Sequence, residues 1–264
     1  MGMIRFVKMH GAGNDFVVID NQETRYSLDE IIAFTPRLCD RRTGIGADGI
    51  LVLDASPNAD FAMIYRNADG SDAGMCGNGG RCIAAFAISN GFPATHRFEC
   101  NSRVYEASKH DLNIRLSFPV TTIVTPIPDG FRIDTGTDHV VVPVTSEDLQ
   151  DSATLIARGR TLRHRHNANV NFVCARNEEL VVDIVTYERG VEDLTLACGT
   201  GALAAATWWH HAFGNLIPSL NEFPVVSKGG TLLVDLAFNP VSPSYQNYHL
   251  TGPAIRVFEG VFPL

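Results

Sequence analysis

Met75-Cys76-Gly77-Asn78-Gly79-Gly80, followed by the apolar run at residues 83–88, has a near copy in Ala197-Cys198-Gly199-Thr200-Gly201-Ala202, followed by residues 203–209. The copies lie about half a chain apart. Each places Cys-Gly-polar-Gly after a strand-like segment and before an Ala-rich helical one, so the chain reads as two passes through one strand–turn–helix plan. Two helix starts rich in small residues arise often. The shared order of the four positions is what makes this pair informative.

Around the first copy, residues 3–9, 16–20, 50–54 and 61–66 read as short strands. A helix is expected over residues 28–39, with Ser27 as N-cap and Glu30 completing a capping box. A second helix should start near Cys76 and stop near Asn90, before Gly91 and Pro93. Strand-like segments follow at residues 97–100 and 113–118. The stretch TTIVTPIPDG at residues 121–130 has two prolines and an Asp-Gly that break regular structure, and the domain boundary is placed there. The second half reads as strands at 139–144, 169–175 and 180–187, a helix from near Cys198 to Gly214, and strands at 224–227, 231–238, 249–250 and 254–258. The expected fold class is α/β (α+β). Residues 1–120 form an N-terminal domain, to which a closing strand at about 252–264 can return, and residues 121–251 form a C-terminal domain.

With 264 residues and 45% hydrophobic content the chain can bury a large core. Its net charge of −8 argues against a nucleic-acid groove. The one basic cluster, residues 158–165, is short and interleaved with His164 and His166, and reads as a solvated loop. No apolar stretch has the length of a signal-peptide core or a membrane span, so a soluble, cytoplasmic protein is expected. The six cysteines form no CxxC pair and are expected as thiols. Of these, Cys39, Cys82, Cys100 and Cys174 are assigned to packing. Histidines 164, 166, 210 and 211 lack the partners of a metal cage, and no metal is expected. Gly44-Ile45-Gly46-Ala47-Asp48-Gly49 satisfies GxGxxG but precedes a strand-like run, so a dinucleotide site is rejected. Trp208 and Trp209 are expected to pack their helix against its domain.

Glycines flanking a polar residue let several backbone N–H groups at a helix start converge on one spot, where the helix dipole adds partial positive charge. Such a spot favours a carboxylate ligand and the thiolate of a cysteine in the first turn. Two of them, related by an approximate two-fold axis, would suit racemisation. One thiolate would remove an α-proton and the other thiol would deliver one to the opposite face. The N–H groups would stabilise the carboxylate as charge builds on it.

The chain resembles the diaminopimelate epimerase family through KMHGAGNDFVVID (8–20), GIGADGILVL (44–53), NADGS (67–71), MCGNGGRC (75–82), NVNFV (169–173), YERG (187–190), LACGTGA (196–202) and LTGPAIRVFEG (250–260). The resemblance implies two pseudo-symmetric domains, each a mixed sheet curled round a central helix. It also implies cofactor-independent conversion of LL-diaminopimelate to the meso form in lysine and cell-wall precursor synthesis, and a homodimer. Residue by residue, it implies Cys76 and Cys198 as the acid/base pair. Gly77 with Asn78, and Gly199 with Thr200, are implied as carboxylate donors, and Asn14 with Glu188 as organisers of the reacting amino group. Asn67, Asn169 and Arg189 are implied as recognising the distal end of the substrate.

Three positions depart from the family pattern. Gly49 stands where many members carry glutamine. Gly136-Thr137-Asp138-His139 stands for Gly-Asn-Pro-His, which leaves His139 matched and Thr137 as the substitute contact. Leu194 replaces a glutamate, in a loop at residues 191–196 that is one residue longer than usual. A same-fold epimerase or racemase for another amino acid is therefore the alternative. Bland roles compete locally: a turn for residues 67–70 and a strand-end ion pair for Glu188 and Arg189. A thiol redox switch and a non-catalytic carboxylate-binding module are the readings from other functional classes.

Overall fold

The computed structural model describes residues 2–23, 26–72, 74–176, 180–214 and 222–264. The chain divides into two compact units, Met1–Ser117 with Gly252–Leu264, and Phe118–Thr251. The first unit runs β1 (Met3–Gly11), β2 (Asn14–Asp20), α1 (Leu28–Cys39), β3 (Gly49–Asp54), β4 (Phe61–Asn67), α2 (Gly77–Ser89), β5 (Thr95–Cys100), β6 (Arg103–His110) and β7 (Asn113–Phe118). The second runs β8 (Val124–Ile127), β9 (Gly130–Asp134), β10 (Asp138–Pro143), α3 (Ser152–His166), β11 (Asn169–Arg176), β12 (Val181–Glu188), β13 (Asp193–Thr195), α4 (Gly199–Phe213), β14 (Glu222–Ser227), β15 (Gly230–Asn239) and β16 (Ser244–Pro253). The last strand, β17 (Ile255–Pro263), pairs antiparallel with β1 in the first unit.

Strand order in the first unit is β17-β1-β2-β3-β4-β5-β6-β7, parallel at β2–β3 and β4–β5 and antiparallel elsewhere. In the second it is β8-β9-β10-β11-β12-β14-β15-β16, parallel at β10–β11 and β12–β14, with β13 as an extra antiparallel strand on β12. The two sheets share one sequence of pairings, so the repeat seen in the cysteine motifs extends to whole units. In the second unit Thr122 and Tyr245 exchange backbone hydrogen bonds of 2.9 and 2.7 Å, joining the two ends of the sheet.

The central helices explain this curvature. α4 is buried at every residue from Gly199 to Trp209 and touches strands from β8 to β15. α2 is buried from Gly77 to Ala84 and packs on β1 to β4 and β6. A helix apolar on every side is stable only when surrounded, and a sheet curled round it supplies that cover. Trp209 packs on Phe213 and Phe223. Trp208 is also buried.

Outer helices cover the other face of each sheet. Ser27 and Glu30 form the capping box of α1, whose Ile31, Phe34 and Leu38 pack on Val17, Ile19, Ile50 and Val52. Strands covered on both faces become continuous apolar runs, as Ile50 to Leu53 are. In the second unit Leu155 and Leu162 of α3 pack on Val140, Val170 and Phe172.

Two expectations are corrected. Residues 158–165 are not a loop but the body of α3, capped by Asp151 accepting from the Thr154 N–H. Its inward stripe is only Leu155, Gly159 and Leu162, spaced by helical turns, while the intervening charges face solvent. Gly159 is required because a Cβ there would lie 2.7 Å from Tyr187. The segment at residues 121–130 also contains a strand, β8, despite Pro126. β8 pairs with β9, and proline is tolerated on such a short edge strand because it removes no inner ladder bond.

Candidate active site

In the first unit Cys76 is the extended N-cap residue of α2, with φ −116° and ψ 122°. The turn beside it is tightly packed: a Cβ on Gly79 would sit 3.1 Å from Leu51, and one on Gly80 2.7 Å from Met75. The two-residue hairpin Ala12-Gly13, both at positive φ, ends β1 and presents Asn14 at the start of β2. The Cys76 thiol donates to Asn14 Oδ1 at 3.5 Å, and Asn78 Nδ2 donates to the same oxygen at 3.4 Å. Asn14 Nδ2 in turn donates to Asp48 Oδ2 at 2.6 Å. Asp48 and Asp15 share Arg41, and Asp15 also pairs with Lys8 at 2.6 Å. Burial would raise the Asp15 carboxyl, but hydrogen bonds and charge from Arg41 and Lys8 outweigh it and hold it at about 2.

In the second unit Cys198 is the N-cap residue of α4, and its sulfur accepts from the Gly201 N–H at 3.4 Å. Thr200 Oγ1 lies 3.6 Å from the same sulfur. The first turn is fixed from outside by Thr135, whose hydroxyl donates to the Thr200 carbonyl at 3.1 Å. Beneath it runs a buried polar row across three strands. The Thr186 hydroxyl donates to Asn171 Oδ1 at 2.9 Å, and the Asn171 amide meets His139 Nδ1 at 2.8 Å. A Cβ on Gly201 would lie 2.6 Å from Asn171 Oδ1. Burial pushes His139 down to about 3, so the ring is neutral, and its Nε2 is buried with no hydrogen-bond partner among the described residues. The equivalent row in the first unit is Phe16, Leu51 and Tyr65, which is apolar apart from the phenol.

The remaining expected residues sit at strand ends within each unit. Asn67 closes β4, with its Nδ2 on Ser71 Oγ at 3.0 Å, so the turn at residues 67–70 is a built feature. Asn169 opens β11 in register with His139, and its Oδ1 accepts the Arg189 N–H at 2.8 Å. Arg189 follows Glu188, the last residue of β12, and its guanidinium reaches the Asn167 carbonyl at 2.8 Å. Thr137 lies between β9 and β10 and accepts from the Thr135 N–H at 3.2 Å. At Gly49 a Cβ would fall 2.4 Å from the Arg66 carbonyl and 2.7 Å from Tyr65, so this position has no room for a side chain. Burial raises Cys39, Cys82 and Cys100 to about 12, consistent with packing roles, and also raises the less buried Cys174.

Sequence reasoning missed Asp48, Arg81, Thr135, Asn171 and Thr186. Two of these left a signal. Asn169 and Asn171 alternate along one strand face, and Arg81 puts a charge into an otherwise uncharged helix start.

The chain matches the sequence profile of the family described as diaminopimelate epimerase over residues 6–108 and 131–242. It is 38% identical to the diaminopimelate epimerase of Chlorobaculum tepidum, with 97% of this chain and 100% of that one covered. Among solved structures, a Bacillus anthracis phenazine biosynthesis protein of the PhzF family superimposes with a TM-score of 0.76 at 14% identity, covering 100% of both chains. A hydroxyproline epimerase from Agrobacterium vitis superimposes with a TM-score of 0.70 at 15% identity, covering 99% of this chain and 93% of the other. These two likenesses establish a shared fold. The repeated unit, the paired cysteine caps and the sequence match together place this chain in the diaminopimelate epimerase family, a family of isomerases.

Proposed function

We propose that this protein epimerises LL-diaminopimelate to the meso form by proton transfer through Cys76 and Cys198. The observation that carries the proposal is that both cysteines cap the first turn of a buried helix, at equivalent points of two units with one topology. Each cap gathers backbone N–H groups and helix-dipole charge, which stabilise a thiolate and a substrate carboxylate alike.

In the proposed reaction one thiolate takes the α-proton and the other thiol returns a proton to the opposite face of Cα, inverting it. Placement of the two sulfurs on opposite faces of one carbon is part of the proposal. The first-turn amides of Gly77 and Asn78, and of Gly199 and Thr200, hold the α-carboxylate as negative charge grows on it. Asn14 and Glu188 orient the reacting amino group. Asn67, Asn169 and Arg189 bind the distal amino-acid end, where a guanidinium suits a carboxylate. Thr137 and the Nε2–H of His139 are further candidates for polar contacts with substrate. No cofactor enters these steps. The reaction would serve lysine and cell-wall precursor synthesis in the cytoplasm.

A second copy of the chain is the partner proposed for β17, the edge strand of the first unit, which exposes Ile255, Val257, Phe258 and Val261.

The departures at Gly49, Thr137 and Leu194 keep open a second reading, an epimerase of this fold acting on another amino acid. Incubation in heavy water separates the two. Deuterium should enter Cα of LL- and meso-diaminopimelate. Exchange into a different amino acid alone would select the second reading and reject the first.

A further inference from the structure

Arg81 lies one turn into α2 and is fully buried. Its three hydrogen bonds all go to neutral acceptors: Nη1 to the Gly77 carbonyl at 3.2 Å, Nη2 to Asn78 Oδ1 at 2.9 Å and Nε to the Pro253 carbonyl at 3.2 Å. Among the described residues no carboxylate meets it. A buried ionised group without a counter-charge is costly and is normally paired. Its Nη2 lies close against β1, where a Cβ on Gly11 would fall 3.0 Å from the Asn78 carbonyl and 3.2 Å from Arg81 Nη2.

The groups around it narrow the choice of counter-ion. Two thiols interact with its charge, Cys82 beside it on α2 and Cys76 at the cap of the same helix. Cys82 and Cys100 are pushed up to about 12 by burial and stay neutral. Tyr105 is likewise raised. Arg66 pairs with Asp72 at 3.4 Å. Asp15 and Asp48, on and beside β2, are taken up by Lys8, Arg41 and Asn14. That leaves the Cys76 thiol: Arg81 holds the Gly77 carbonyl and Asn78 Oδ1, in the two residues that follow Cys76, and Asn78 Nδ2 and the Cys76 thiol meet on Asn14 Oδ1. In the second unit the residue five positions after the cysteine is Leu203, buried and uncharged. At this point of the repeat the first unit carries a cation and the second a leucine.

We propose that Arg81 is a positioning residue that supplies the counter-charge of the Cys76 thiolate, so that Cys76 is the more acidic of the two cap cysteines and the one that rests ionised. This rests on the two-cysteine reading of the site. The S–H···O contact from Cys76 to Asn14 opposes ionisation, but at 3.5 Å it is a long bond from a weak donor. A full charge in a low-dielectric interior outweighs it.

The test follows alkylation of each cysteine by iodoacetamide from acid to alkaline pH, read by peptide mass spectrometry. Cys76 is followed in Cys198→Ser and Cys198 in Cys76→Ser. The Cys76 midpoint should lie below that of Cys198 by roughly one pH unit or more. Arg81→Leu, which copies Leu203, should raise the Cys76 midpoint by roughly the same amount and leave Cys198 unmoved. Arg81→Lys should keep Cys76 low, a rescue that a purely structural role would not give. Equal midpoints, a lower midpoint for Cys198, or an unmoved Cys76 in a folded Arg81→Leu would overturn the proposal. If Arg81→Leu does not fold, the two serine variants and Arg81→Lys still decide it. Alkylation does not depend on turnover, so its outcome is separate from the deuterium exchange that tests the proposed reaction.

Discussion

Asn14 Nδ2 donates to Asp48 Oδ2 at 2.6 Å, and this bond, with the longer one from Asn78 Nδ2 to Asn14 Oδ1, fixes which end of the Asn14 amide faces Cys76. Without it only the longer contacts on Oδ1 hold the amide. Asp48→Ala is expected to lower kcat/KM by about 10- to 100-fold, because small misplacements at a reacting centre are expensive. Steady-state assay with LL-diaminopimelate checks this, and wild-type kcat/KM would show that Asp48 has no positioning role.

The two cap turns should tolerate a methyl group unequally. On Gly201 a Cβ would meet Asn171 Oδ1 at 2.6 Å and Cys198 Sγ at 3.2 Å, whereas on Gly79 the tightest contact is Leu51 Cδ2 at 3.1 Å. Gly201→Ala is expected to cost about 1–3 kcal/mol of stability, and Gly79→Ala less. Thermal unfolding of both variants measures the difference, and the reverse order would contradict the packing described.

His139 predicts a pH dependence of stability. Its folded pKa, about 3, lies below the ordinary value of 6.5 because burial opposes the charged ring. Lower pH therefore favours the unfolded chain, which takes up the proton first. The His139 contribution is complete above about pH 6.5 and is lost toward pH 3, at up to about 1.4 kcal/mol per pH unit. Unfolding midpoints from pH 7 to 4 should fall less steeply in His139→Asn than in the parent, and parallel curves would refute the assignment.

The capping box of α1 gives a control away from the site. Ser27→Ala removes the side-chain acceptor for the Glu30 N–H, and about 1 kcal/mol of stability should go with it. Denaturant unfolding should show that loss with kcat/KM unchanged.

Local chemistry explains which parts of the fold the sequence revealed. Ser27 and Glu30 announce α1, and Cys-Gly-polar-Gly announces α2 and α4, because caps and tight turns use residue types found side by side in the chain. α3 also has a local cap, Asp151, but its apolar pattern is too sparse to mark a helix. Its apolar stripe is three residues wide, one of them Gly159, which is explained only by Tyr187 on a neighbouring strand. The same distinction holds at the site. Cys76 and Cys198 are visible as motif residues, whereas Asn171 and Arg81 matter through contacts with residues distant in the chain, at Thr186, His139 and Pro253. Pattern reading also took Gly49 as a missing side chain, but the structure shows backbone and Tyr65 occupying its space.

The most direct measurement is the rate of epimerisation of LL-diaminopimelate by Cys76→Ser and Cys198→Ser, each purified under reducing conditions and shown by circular dichroism to be folded. Loss of a general acid or base costs about 100- to 10,000-fold, and that loss is expected in each variant separately. A folded variant of either kind that turns over at the parental rate would contradict proton transfer through this pair of thiols.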